Sequence, residues 1–404
     1  MRDRPHAFGV TELRDALAPE DHDDDRTLPE LAVDLLGLVE MSDAFDAEQT
    51  HDAVDEPHPD NFTIFCDVGV PNAFRRASSA APEMWVYAVD DGLAAGSARS
   101  EVVLDKAGRY LPYVTRAPFI APLFDDIEVE HLPGTALMVR TPGAMMFSHW
   151  LYDLLPRVEA ARAAGYGPDT VDYVLVNGGE RPYEFESLEA MGYRRDQILH
   201  VHGNTRSIQA DRLVVPTYPR AVDQSKYTPP WARRLVRSTF GIHGDPKDRP
   251  KRAKVAYLSR QSAHRRKIVP HDQLDTFLGS VDAVWIEPEH LTVRETAQQL
   301  HDVALLVGPH GAGLANGVFL PPWSAAMEII GSQFMLEHFH VLTSSTSHYV
   351  GVSANDEGDD VFSSAAMARV DARTNTENQE LDIVLDPERT AQALDWAQQF
   401  LDDY

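Results

Sequence analysis

The sequence predicts an α/β protein with two Rossmann-like domains and a β-rich segment ahead of them. Three observations carry that prediction. Apolar runs of strand length alternate with helix-type spacing from about residue 138 to 215, and again from 255 to 330. Residues 216–253, between the two stretches, are rich in proline and charge. Short β-type runs recur from 61 to 137. Alternation of this kind marks a parallel sheet with covering helices, and a proline-rich charged stretch marks a linker. A chain of 404 residues, 43% hydrophobic, is long enough for two full cores. Two such halves place a cleft at the carboxyl ends of their strands.

The elements follow in order. Residues 1–60 form an acidic, weakly patterned segment, in which Leu28, Leu31, Leu35, Leu36 and Val39 predict one amphipathic helix. Its run Asp21-His22-Asp23-Asp24-Asp25 contains an Asp-x-Asp pair of the sort that can hold a divalent cation. Such a pair normally ends a hydrophobic strand; here Pro, Glu and Arg surround it, and it reads as a solvated acidic run. Strands are expected over 62–65, 85–89 and 101–104. Ser148 is placed to cap a helix reaching Gly165. Then come a strand over 171–176, the turn Asn177-Gly178-Gly179, a helix over 183–191, and strands over 198–201 and 212–215. After a helix over 229–240, strands are expected over 255–259, 283–286, 303–307 and 326–330, with helices over 272–278 and 292–302. The amphipathic stretch 387–401 closes the chain. The domains are therefore drawn as 1–60, 61–220, a linker over 221–253, 254–385 and a C-terminal helix over 386–404.

Composition narrows the function classes. Net charge is −27, from 30 Arg and 6 Lys against 39 Asp and 24 Glu. Abundant Asp, scarce Lys and a pI near 4.9 fit a surface kept hydrated in concentrated salt, which screens its self-repulsion. The acidity argues against nucleic acid and against adhesion to anionic lipid. One cysteine, Cys66, excludes an intrachain disulfide and a cysteine metal cluster. Neither a signal peptide nor an apolar run of transmembrane length is read. The expectation is a cytoplasmic protein, with peripheral membrane association through a partner left open.

The most informative segment is His310-Gly311-Ala312-Gly313-Leu314, after the apolar run 303–307. It reads as buried strand, glycine turn and helix start. Glycines let a backbone approach a ligand closely, and the unpaired N–H groups of a helix start suit a phosphate or diphosphate. His310 adds a donor. The plainer alternative is a tight turn that packs helix on sheet. Glu328 lies within the strand over 326–330, where a carboxylate must be paired, bind something such as ribose hydroxyls, or point to solvent.

The second segment is Ser148-His149-Trp150-Leu151-Tyr152-Asp153-Leu154-Leu155-Pro156-Arg157. His149 and Asp153, four apart, share a helix face, while Trp150, Leu151, Leu154 and Leu155 can bury the other. The pair is either a general-base unit, one residue orienting the other, or an ordinary helix-surface pair. Arg260 ends a strand, and Arg265 and Arg266 follow closely. They either neutralise a diphosphate or offset the acidic surface.

In this order the segments resemble glycosyltransferase family 61, over roughly residues 140 to 350. The resemblance implies a GT-B type fold, with two Rossmann-like domains facing a cleft. It also implies an inverting mechanism, a nucleotide-sugar co-substrate (a UDP-sugar) and no metal or other cofactor. The acceptor would be a hydroxyl of a glycan, lipid-linked or protein-linked. Carried over, Asp153 becomes the general base and His149 its helix histidine. Arg260, Arg265 and Arg266, with His310 to Leu314, face the donor diphosphate, and Glu328 lies near the ribose. Where many members carry Asn-Glu after the arginines, this chain has Ile268-Val269-Pro270-His271-Asp272. Two rival classes remain: a non-catalytic sugar or nucleotide binder on the same scaffold, and a dehydrogenase. For the latter, the chain lacks a G-x-G-x-x-G with a downstream acid after an early strand.

Overall fold

The computed structural model describes residues 45–66, 79–97, 100–109, 111, 114, 128–141, 143–201, 206–219, 227–246, 249–261, 267–331, 338–356, 359–360 and 382–404. The acidic run at 21–25, the helix expected over 29–41, and Arg265 and Arg266 lie outside the described residues. The chain separates into two compact units, one of residues 1–53 and 82–219, the other of 54–81 and 220–404. Residues 54–81, divided by sequence between the acidic segment (to 60) and the N-terminal domain (from 61), fall in the C-terminal unit. The helix Pro230–Thr239, drawn as part of a linker, belongs to that unit too.

The first unit holds a mixed sheet. Its strands run in the order Asp46–His51, Met84–Asp90, Arg206–Pro216, Glu128–Met138, Tyr173–Val176, Ile198–His200. The last four are mutually parallel; the first two, and the hairpin Leu93–Ser97 with Ser100–Leu104, are antiparallel additions. The β-rich region is thus no separate layer: Met84–Asp90, Leu93–Ser97, Ser100–Leu104 and Glu128–Met138 belong to this sheet, while Phe62–Phe65 joins the sheet of the second unit. Buried Val89, Ala136, Met138, Leu175, Leu213 and Val215 make the core. In the parallel part the chain moves outward from Glu128–Met138 through two strands, then returns to its other side as Arg206–Pro216. That reversal makes the carboxyl ends of these two strands a topological switch point.

The second unit holds a six-stranded, wholly parallel sheet: Val284–Ile286, Val255–Leu258, Leu305–Pro309, Ala325–Ile330, His348–Ser353, Phe62–Phe65. Every residue of Leu305–Pro309 and Ala325–Ile330 is buried, as expected for strands covered on both faces. Counting from Val255–Leu258, five strands follow the doubly wound order 2-1-3-4-5, and Phe62–Phe65 adds an edge. Nothing near residue 62 foretells this edge, because parallel pairing leaves no local turn to recognise. Among the described residues, two helix starts in this unit carry side-chain caps. Thr292 and Glu295 form a reciprocal capping box before Val293–Leu300, and Asp386 caps Pro387–Asp402. No helix among the described residues is long and apolar enough to cross a membrane.

Candidate functional site

In the first unit the segment beginning at residue 147 is not one regular helix. Phe147–His149 is α, Trp150–Leu154 is a π turn, and Leu155–Ala163 is α again. Pro156 explains the irregularity. It has no N–H to give Tyr152, and its ring would strike the Tyr152 carbonyl in a regular helix. The chain widens instead, and the Leu155 N–H reaches back five residues to the Trp150 carbonyl. Ser148, expected as the cap, is buried inside the helix, and Met146 holds the cap position without a side-chain bond. The expected apolar stripe is buried: Trp150, Leu151, Leu154 and Leu155 are inaccessible, and Trp150 Nε1 donates to Ser187 Oγ at 2.8 Å.

Arg157 fixes this helix to the sheet. Its guanidinium, fully buried, donates to the carbonyls of Met138 (3.2 Å), Arg140 (2.5 Å) and Pro216 (2.9 and 3.0 Å). Those carbonyls include the last residues of both strands at the switch point. One turn earlier, His149 Nδ1 lies 2.5 Å from Asp153 Oδ2, with side chains 18% and 13% exposed. An ionised carboxylate only accepts, so Nδ1 then carries the proton and Nε2 is the other ring position. Gly143, in the left-handed region at φ +79°, lies on the imidazole; a Cβ there would stand 2.7 Å from His149 Cδ2. The loop before the helix is tied down by Asn177, which exchanges two 2.9 Å hydrogen bonds with the Thr141 backbone. Buried Glu184 closes the next strand end, accepting from Gly179 N (2.7 Å), Glu180 N (3.1 Å) and His200 Nε2 (2.9 Å). Sequence reasoning assigns no role to Arg157 or Glu184. The available signal is a charged residue inside an otherwise apolar helix face.

In the second unit the switch point lies between Val255–Leu258 and Leu305–Pro309, adjacent parallel strands that pair Tyr257 with Val307. Arg260 follows the first strand and His310-Gly311 the second, so the fold brings these predicted residues together. The strand ends approach closely: a Cβ at Gly308 would lie 3.1 Å from that of Leu258. Gly311 has φ 156° and ψ 171°, a conformation almost restricted to glycine. The Arg260 guanidinium packs on its Cα, where a Cβ would stand 2.5 Å from Nη1. Gly313 differs: among the described residues nothing lies within 4 Å of its Cβ direction. The element that follows is a 3-10 helix, Ala312–Phe319, rather than the expected α-helix, and Leu314 is buried in it. Its tighter turn begins at Ala312, and Asn316 Nδ2 donates to the Gly313 carbonyl at 2.9 Å.

Glu328 sits in the middle of its strand between Gly308 and Gly351 on the neighbouring strands. The two-residue period puts His310 and Tyr349 on the same face. Its carboxylate accepts from His310 Nδ1 at 2.5 Å and from the Tyr349 hydroxyl at 2.7 Å. A Cβ at Gly351 would stand 2.7 Å from Ile64 Cδ1 and 3.4 Å from the Tyr349 hydroxyl, whereas one at Gly308 would meet Leu258 and Leu314. Burial alone would raise the Glu328 carboxyl; the adjacent His310 above all, then His338 and the Tyr349 hydroxyl, hold it below the ordinary carboxylate range. Burial, then the neighbouring Glu328, pushes the Tyr349 hydroxyl well up. Glu328 has 1% and His310 3% of its side chain exposed, and both carboxylate oxygens are taken up by His310 and Tyr349.

Residues 147–327 match the model of the family Glycosyltransferase 61. Over this stretch, 181 of the 404 residues, the chain is similar to glycosyltransferase family 61. His149, Asp153, Arg157, Arg260 and the turn from His310 to Leu314 all fall inside the matched span, and Glu328 is the next residue after it. Among curated proteins, none matches the chain. The family is one of glycosyltransferases, and the match over these residues supports a transferase.

Proposed function

We propose that the protein transfers a sugar from a nucleotide-sugar, a UDP-sugar, to an acceptor hydroxyl of a glycan or glycoconjugate with inversion at the anomeric carbon. The supporting observation is the meeting of Arg260, His310 and Gly311 at the switch point of the doubly wound sheet, inside the family-matched span. Ligands of such sheets bind outside the carboxyl ends at this point. The diphosphate would lie along the backbone at Gly313, beside the Arg260 guanidinium and the His310 ring. Positive charge placed there stabilises the leaving nucleotide as negative charge develops, the task a divalent metal performs elsewhere. Arg265 and Arg266 are proposed to add to that charge.

Proton removal from the acceptor hydroxyl is assigned to the His149–Asp153 pair, with Asp153 as the base. The 2.5 Å contact through His149 Nδ1 also favours a second arrangement, in which Asp153 orients the ring and His149 Nε2 receives the proton. His149→Gln separates the two: partial activity assigns the base to Asp153, and activity as low as that of Asp153→Asn assigns it to His149. The GT-B arrangement implied by the family, with donor on the C-terminal unit and acceptor on the other, completes the proposal. The −27 charge suits concentrated salt and a cytoplasmic setting, so assays belong in KCl.

The test is release of free nucleoside diphosphate from a panel of nucleotide-sugars, with candidate acceptors and EDTA present. Acceptor-dependent release supports transfer without a metal. Tight nucleotide binding with no release from any donor would make the protein a binder on the transferase scaffold.

A further inference from the structure

The Tyr349–Glu328–His310 chain crosses three adjacent strands and lies wholly inside the sheet. A buried carboxylate is costly unless it is paired, and both of its oxygens are engaged here. The pairing partner is the first residue of the glycine turn. Packing alone does not ask for a carboxylate at 328: the other strand residues of Ala325–Ile330 are apolar and buried.

We propose that Glu328 and Tyr349 are positioning residues for His310, fixing its ring so that Nδ1 is permanently committed inward and Nε2 is the one nitrogen offered to the donor. The Tyr349 hydroxyl donates to Oε2 and keeps the carboxylate from rotating away from His310. Because an ionised carboxylate only accepts, Nδ1 holds a proton in every state of the ring. A neutral His310 therefore offers a lone pair at Nε2, and a protonated one offers N–H. An anionic diphosphate selects the second form, with Glu328 as the counter-ion behind it. Glu328 thereby acts on the donor through His310 rather than by touching it. This rests on the proposed diphosphate site, and the test separates the two ideas.

The readout is the ring ¹⁵N spectrum of the full-length protein labelled at histidine, with His310→Gln identifying the His310 signals. The expected result is an Nδ1-protonated His310 in the wild type. Tyr349→Phe should shift that signal, and Glu328→Gln should abolish the fixed form. In parallel, UDP affinity is measured by calorimetry. Glu328→Gln should weaken UDP about tenfold to a hundredfold, the worth of a hydrogen bond to a charged group, and Tyr349→Phe a few-fold. Combining Glu328→Gln with His310→Gln should cost no more than His310→Gln alone, since a positioning residue has no effect without its target. Tyr349→Phe removes one oxygen and serves if Glu328→Gln does not fold. A His310 ring whose protonation pattern ignores both substitutions, or additive losses in the double variant, would overturn the proposal. A fixed ring in a protein that does not bind UDP would uphold the positioning and overturn the diphosphate site.

Discussion

The Arg260 guanidinium rests on the Cα of Gly311, so closely that a Cβ at that position would stand 2.5 Å from Nη1. Two residues about fifty positions apart in sequence are joined there because their strands are neighbours in the second sheet. The glycine is held by the protein's own packing and by its backbone conformation, while Gly313 two residues on is not.

That contrast gives a paired prediction. Gly311→Ala should destabilise the protein by about 1–3 kcal/mol, the usual cost of a side chain in this backbone region. Gly313→Ala should leave stability nearly unchanged yet weaken UDP, because the methyl group would occupy the space proposed for the diphosphate. Thermal unfolding and calorimetric titration of both variants provide the check. Equal UDP affinity in Gly313→Ala and wild type would remove the ligand from that face.

Arg157 should matter for stability. Arg157→Met keeps much of the length of the side chain and leaves three buried carbonyls without their donor. Each loss costs about 1–3 kcal/mol. The urea midpoint should fall markedly, with near-normal UDP affinity in whatever fraction remains folded. An unchanged midpoint would mean that the clamp at the ends of Glu128–Met138 and Arg206–Pro216 is dispensable.

His348 predicts a pH dependence. Its ring stacks on Trp396 (5.0 Å, 26°) and pairs through Nε2 with Thr63 Oγ1 at 2.9 Å, which ties the edge strand Phe62–Phe65 to the sheet. Burial lowers its pKa below the ordinary 6.5. The unfolded chain therefore takes up a proton first as pH falls. The stability His348 contributes is complete above 6.5 and is lost as pH drops through the folded value. His348→Gln should flatten the fall in urea midpoint between about pH 7.5 and pH 5. An equally steep fall in the variant would assign the dependence to other groups. Glu328, with its carboxyl held below 4.5, has the same sign but acts at lower pH.

Much of this architecture is legible in the chain. Continuous apolar runs mark the buried parallel strands, and the glycine turn after 303–307 marks the switch point, because local spacing and turn chemistry are written in neighbouring residues. The edge strand Phe62–Phe65 is not legible as such, since it joins residues nearly three hundred positions away by parallel pairing. The π turn escapes a reading that treats Pro156 as part of a motif rather than as an obstacle to the Tyr152 carbonyl. Glu328 is recognisable as a residue needing a partner, but its partners lie on other strands, and only the register shows that His310 and Tyr349 reach it.

The most direct test of the central claim is acceptor-dependent turnover by Asp153→Asn, on a donor the wild type uses. Loss of about two to four powers of ten, with UDP affinity nearly intact, is the expected result for a general base. Transfer at the wild-type rate would remove the His149–Asp153 pair from the chemistry and contradict the proposed mechanism.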